Sequence, residues 1–227
     1  MKPFEVLYED NHLLIVNKSP GVLVQGDETG DTPLAELLKQ YIKEKYNKPG
    51  EVFLGVVHRL DRPVSGVVAF ARTSKALQRM NALFRERQTL KTYWALVSDK
   101  PKESKGVLVH WLRKDEKKNK TTAFSRETND ALRSELSYEV RNVKGSMYLL
   151  QVTPVTGRPH QIRVQLAAMG CPIIGDVKYG SSAPNSDGSI CLHARQLRFI
   201  HPVKKEPLVV TASLPHLDVW RMFTDVD

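Results

Sequence analysis

The sequence predicts an α+β fold, with a mixed, largely antiparallel central β-sheet flanked by helices and loops. Short apolar runs closed by turn residues recur along the whole chain, as at "HLLIVNK" before Pro20-Gly21. Amphipathic helical stripes are few and unevenly spaced between them, which excludes a regular strand–helix–strand alternation. With 227 residues, 41% of them hydrophobic, the chain can bury a full core.

Each element has its own signal. "HLLIVNK" reads as a buried strand entering a turn. Thr32-Pro33 opens a helix to about Tyr46, with Pro33 at its first position and Leu34, Leu37, Leu38, Tyr41 and Ile42 on one core-facing stripe. "VVAFA" is a strand, Ser74 caps a helix through Leu77, Met80, Leu83 and Phe84, and "KTYWALV" is the next strand. Arg113 to Asp130 shows no apolar periodicity and is expected to be an exposed, mobile, basic loop. Strands follow around Leu136 to Val140 and Tyr148 to Val152. Thr156 then caps a helix with Pro159 in its first turn and Gly170 at its end. Ile162, Leu166 and Met169 face the core, while His160, Arg163 and Ala167 share a different face. "LHARQLRFIHP" and "LVVTASLP" are two further strands.

No repeat, low-complexity tract or linker interrupts the sequence, so residues 1–227 are expected to form one domain. There is no apolar run near 18 residues, and the N-terminus lacks a signal-peptide pattern, so no membrane partner is expected and the cytoplasm is the default. Cys171 and Cys191 are read as reduced core residues, and no Cys/His spacing suggests a metal.

The net charge of +9 and a pI near 9.5 favour a polyanionic partner, nucleic acid above all. From Arg85 to Arg126 there are 12 Lys/Arg against 5 Asp/Glu, so seven of the nine net charges fall in this stretch. On charge alone a solvated surface accounts for that run equally well.

"VVHRLDRPVSG", Val56 to Gly66, sets Asp61 between Arg59 and Arg62, with His58 three positions upstream. A surface salt bridge is worth only 0 to about 1 kcal/mol and could sit anywhere, so it does not account for the cluster. His58 with Ser65-Gly66 lacks a GxSxG elbow and is turn chemistry. A metal-dependent nuclease needs clustered carboxylates, and no acid follows Asp61 until Glu86. His58, His160, His193 and His201 lack zinc spacing and suit structural hydrogen bonding.

Five segments, "NHLLIVNKSPGVLV", "HRLDRPVSG", "KTYWALV", "GRPHQIRVQLAAMGCPIIGDVKYG" and "LHARQLRFIHP", stand in the order seen in the RluA family of RNA pseudouridine synthases, which this chain resembles over nearly its entire length. The chain departs from the family at Val64, which stands where the family usually has Thr. The resemblance implies isomerisation of uridine to pseudouridine in structured RNA, with a flipped-out nucleotide and no metal or organic cofactor. It makes Asp61 the catalytic carboxylate, with Arg59 or Arg62 favouring its ionised form. Tyr93 matches the active-site tyrosine, able to stack on the base or move a proton. Arg163 matches the basic partner of the catalytic Asp.

The expected RNA contacts are Arg59, which would help extrude the nucleotide, then Arg62, Arg158, His160 and the basic-loop residues Arg113, Lys114, Lys117, Lys118 and Lys120. The family's small N-terminal RNA-binding module is not expected, because the first catalytic motif begins by about Tyr8. The expected substrate is tRNA, with large-subunit rRNA next and no obligate protein partner. The alternative is a catalytically silent RNA-binding or RNA-folding protein, which would have no need of Asp61, Tyr93 and Arg163 together.

Overall fold

The computed structural model of the chain describes residues 2–27 and 30–226. In chain order its elements are β1 (Phe4–Glu9), β2 (Leu13–Lys18), α1 (Leu34–Lys45), β3 (Gly55–Val56), β4 (Ser65–Ala71), α2 (Ser74–Arg85), β5 (Leu90–Val97) and β6 (Lys105–Asp115). There follow β7 (Lys120–Phe124), β8 (Leu132–Lys144), β9 (Met147–Pro154), α3 (Gln161–Ala168), a 3-10 turn (Val177–Tyr179), β10 (Leu192–Ile200), β11 (Pro207–Thr211) and α4 (Asp218–Arg221). Strands dominate, with few helices, as the α+β reading expects. Among the described residues no helix is long and apolar enough to cross a membrane.

The chain divides into two compact units. The first holds the residues up to Leu90 together with Ala194–Ser213. Here β2 pairs antiparallel with β1 and β4, β3 adds to β4, and β11 adds to β10. The run Leu13–Val16 has no polar alternation because both its faces are covered. Leu14 and Val16 pack with Val68 and Phe70 against Leu34, Leu38 and Ile42 of α1. Leu13 and Ile15 pack on the other face with Val67, Ala69, Met80 of α2, and Leu197, Phe199 and Val210 of β10 and β11. Each such buried side chain contributes about 1.5–3 kcal/mol.

Both helix starts in this unit lie one residue from their expected places. Pro33 is the N-cap of α1, with ψ 159°, and not its first helical residue. The free amides of Leu34 and Ala35 are satisfied by the carbonyls of Leu23 and Val24 (2.7 and 3.2 Å), so no side-chain cap is needed. The cap of α2 is Thr73 and not Ser74: Thr73 Oγ1 accepts the Ala76 amide at 3.2 Å.

The second unit, Lys91–His193 together with the residues from Leu214 on, carries antiparallel strands in the order β5-β9-β8-β6-β7. Of the stretch expected as a loop from Arg113 to Asp130, the part up to Phe124 is instead in a β-hairpin, with Trp111 opposite Phe124, Leu112 opposite Ala123 and Asp115 opposite Lys120, while residues 125–130 lie outside any strand. Its inner face is sparse: Leu112, Thr121 and Ala123 line it and pack with Val164 and Ala167 of α3 and with Tyr179. A buried Thr and a single Leu among lysines leave too little alternation to read as a strand. Asn119 closes the turn in the left-handed region (φ 43°), and Asp115 Oδ1 accepts the Lys118 amide at 3.0 Å. Cys171 and Cys191 are both buried and free.

Candidate active site

In the first unit the chain from His58 to Val64 is tied down on several sides. His58 Nε2 accepts the Ala69 amide of β4 at 3.1 Å, which puts its own proton on Nδ1, and its ring stacks on Phe84 of α2 at 4.9 Å. The Asp61 carbonyl accepts the Val64 amide (3.0 Å), closing a turn over Arg62-Pro63, and the Arg62 carbonyl accepts the Gly21 amide (2.8 Å). Val64 is 2% exposed, so the methyl that replaces a hydroxyl lies in the core. Gly66 leaves the turn at φ 115°, and a Cβ there would stand 2.3 Å from the Ala194 carbonyl oxygen, so only glycine fits. Asp61 is partly buried at the head of this turn and Arg59 is exposed.

Lys18, at the end of β2, is fully buried. Its ammonium donates to the carbonyls of Ser19 (3.0 Å), Val22 (2.8 Å) and Arg62 (3.2 Å), joining the Pro20-Gly21 turn to the Asp61 turn. Burial pushes the Lys18 amine down to about 7, while the Asp61 carboxylate pulls it back up. Arg62 turns outward: its Nε donates to the Gly21 carbonyl (3.0 Å) and its guanidinium pairs with Asp31. Lys18 is thus a buried cation that feels the Asp61 carboxylate, and the sequence reading did not single it out.

In the second unit Tyr93 lies on β5 opposite Val152 and is partly buried. The start of α3 departs from the expected cap. Its N-cap is His160, in the left-handed region (φ 53°), and the Thr156 hydroxyl instead donates to Gln161 Oε1 at 2.8 Å. The same Gln161 oxygen accepts the Arg158 amide (3.0 Å) and Gln161 Nε2 donates to the Glu135 carbonyl (3.1 Å), so the turn from Thr156 wraps one buried glutamine.

Arg163, placed by periodicity on a lateral face, is 5% exposed and makes a two-pronged ion pair with Asp176: Nε to Oδ2 at 2.7 Å and Nη2 to Oδ1 at 2.9 Å. Its guanidinium also lies over the Tyr179 ring, 5.0 Å from the centroid. The Tyr179 oxygen accepts the Thr121 amide of β7 (2.8 Å) and pairs with His160 Nδ1 (2.7 Å). Burial raises the Tyr179 phenol, which keeps its proton.

His160 and Arg163 thus meet at one tyrosine, while Arg158 is exposed. On the hairpin, Arg113 lies over Phe124 (5.0 Å), Lys114 pairs with Glu116 (2.5 Å), Lys120 reaches over Tyr179 (5.9 Å), and Lys117 and Lys118 are exposed at the turn. Lys18, Asp176 and Tyr179 were legible only as anomalies: a lysine ending an apolar strand, and an acid and a tyrosine just after the apolar run of "CPIIGDVKYG".

Residues 12–168, which include Asp61, Tyr93 and Arg163, match the RNA pseudouridylate synthase family. The chain is 34% identical over 215 residues to ribosomal large subunit pseudouridine synthase C of Vibrio vulnificus (strain CMCP6), a match covering 92% of this chain and 65% of that protein. It is 32% identical over 238 residues to tRNA pseudouridine synthase C of Vibrio parahaemolyticus serotype O3:K6 (strain RIMD 2210633), covering 97% of this chain and 94% of that one. Among solved structures, human RNA pseudouridylate synthase domain containing 4 aligns with a TM-score of 0.77 at 27% identity, over 96% of this chain and 91% of that one. The chain thus spans about two thirds of the length of the ribosomal relative and nearly all of the tRNA relative.

Proposed function

The chain belongs to the RNA pseudouridylate synthase family, and from that premise we propose that it isomerises specific uridines to pseudouridine in structured RNA. The reaction breaks the N1–C1′ glycosidic bond and forms a C5–C1′ bond. The C5 proton leaves to solvent and N1 gains one, so nothing is oxidised or reduced. One observation carries the reading: the family match contains Asp61, Tyr93 and Arg163 together, and binding RNA alone requires none of them.

Asp61 acts as the ionised carboxylate, as nucleophile at the sugar or base, or as base. Its support is a turn fixed by His58, Lys18 and the Gly21 amide, so the backbone that presents it is held in advance of substrate. Tyr93 stacks on the extruded base, and Arg163 takes the family's role of cationic partner to the carboxylate. Extrusion costs a few kcal/mol, so a uridine in a loop or bend is preferred. Exposed Arg59 and Arg158 and the hairpin cations Arg113, Lys114, Lys117, Lys118 and Lys120 supply phosphate contacts.

Between substrates, tRNA is proposed first and large-subunit rRNA next; relatives named for each match the chain, at 32% and 34% identity. The test is to incubate the protein with unmodified tRNA and large-subunit rRNA transcripts and to map pseudouridine by carbodiimide adducts that stop reverse transcription. New stops in tRNA are expected. Stops confined to rRNA would reverse the substrate assignment, and none in either pool would overturn the activity.

A further inference from the structure

The ion pair of Arg163 with Asp176 is more constrained than stability requires. Both side chains are at least 94% buried, and a buried ion pair generally stabilises a fold no better than apolar side chains of the same volume. The surroundings add further constraint. The Tyr179 ring backs the guanidinium at 5.0 Å, and its hydroxyl is fixed by the Thr121 amide and by His160 Nδ1. His160 reaches that hydroxyl from a left-handed backbone (φ 53°), a conformation that costs a non-glycine residue on the order of 1 kcal/mol. Thr121 Oγ1 donates to the Pro159 carbonyl (3.0 Å), so β7 locks the residue just before His160.

We infer that Asp176 and Tyr179 are positioning residues that fix the plane and direction of the Arg163 guanidinium before RNA arrives. The inference rests on the isomerase reading above. Asp176 occupies Nε and one Nη2 hydrogen, and a guanidinium with two of its five donors held in a fork cannot swing, so the other three keep one direction. Tyr179 closes one face of the plane. Neither residue touches the reacting atoms in this role; both act through Arg163.

The test is a double-mutant cycle on the full chain. Asp176→Asn keeps the size of the side chain and one acceptor but removes the charge and the fork. It is expected to lower kcat roughly 10- to 100-fold, the scale for a misplaced catalytic group, with the Kd for RNA unchanged. In an Arg163→Ala background the same change is expected to cost nothing further. A support of the fold alone would give additive losses and a raised Kd, and either result would overturn the inference. Tyr179→Phe, which keeps the ring but frees it from Thr121 and His160, serves if Asp176→Asn does not fold, and its effect is likewise expected to vanish without Arg163.

A second readout needs no activity. The Arg163 Nε–H resonance should exchange slowly in wild type and broaden or exchange fast in Asp176→Asn and Tyr179→Phe, with the amide spectrum retained. An inactive wild type with that resonance protected would refute the isomerase reading and uphold the positioning. A resonance equally protected in both variants would refute the positioning itself.

Discussion

Lys18 shows how much a single side chain can set at this site. Its ammonium serves three carbonyls, one of them Arg62 next to Asp61, from a fully buried position, and burial brings the amine down to about 7. In the unfolded chain the same amine holds its proton to about 10.4. Between those values the folded state binds fewer protons, so the contribution of Lys18 to stability rises with pH across that window and is at its least below pH 7. Chemical denaturation of wild type at pH 7 and pH 9, beside Lys18→Met, should show about 2 kcal/mol more gain with pH in the wild type. Equal pH dependence in the two proteins would mean that the amine is not depressed. Asp10 acts in the same direction at lower pH, because its carboxyl is also depressed in the folded state. Burial alone would raise its carboxyl, but bonds from the His12 amide, Lys204, the Leu13 amide and Tyr8 hold it well below the usual range. Its contribution is present above the ordinary carboxylate pKa and lost as pH falls below it, so Asp10→Asn should flatten the acid limb of a stability profile measured from pH 5 to pH 2.

At the scale of elements, two local features carry predictions. Gly66 opens β4 where a Cβ would lie 2.3 Å from the Ala194 oxygen and 2.6 Å from its nitrogen. Backbone cannot move aside cheaply, so Gly66→Ala should cost more than about 3 kcal/mol in a urea titration, or leave no folded protein. A cost under about 1 kcal/mol would show that β4 and β10 separate easily. The β6–β7 hairpin is the other. Replacing both Lys117 and Lys118 by Ser should reduce the salt slope of RNA affinity by about 2, with kcat at saturating RNA unchanged. An unchanged slope would remove the turn from the RNA interface. The hairpin was also where sequence reading failed. Strands such as Leu13–Lys18 and Ser65–Ala71 announce themselves because both faces are apolar, whereas β7 buries only a Thr and an Ala on one side. Thr156 misled in a similar way: a hydroxyl before a helix suggests a cap, but here it serves Gln161, and helix α3 starts at a strained histidine instead.

At the scale of the molecule, the strand-rich order and the main helices were legible because each depends on local periodicity, and the two core cysteines because their number and spacing suit neither a disulfide framework nor a metal. The candidate site was proposed by another route. Asp61, Tyr93 and Arg163 follow from motif order, which fixes residue types but says nothing of their supports. The fork on Arg163 comes from Asp176, 13 residues on, and a buried amine that feels the Asp61 carboxylate is Lys18, 43 residues back. Such pairings are made by tertiary structure, and helical or strand periodicity does not encode them. What the motifs and the supports share is one claim, that Asp61 is the group around which the chemistry is built. The most direct test is tritium release from RNA labelled at uridine C5, with wild type beside Asp61→Asn and RNA binding measured for both. Release by wild type, none by Asp61→Asn, and equal binding by the two is the expected result. Tight RNA binding by the wild type with no release from tRNA or rRNA, or release undiminished in Asp61→Asn, would contradict it.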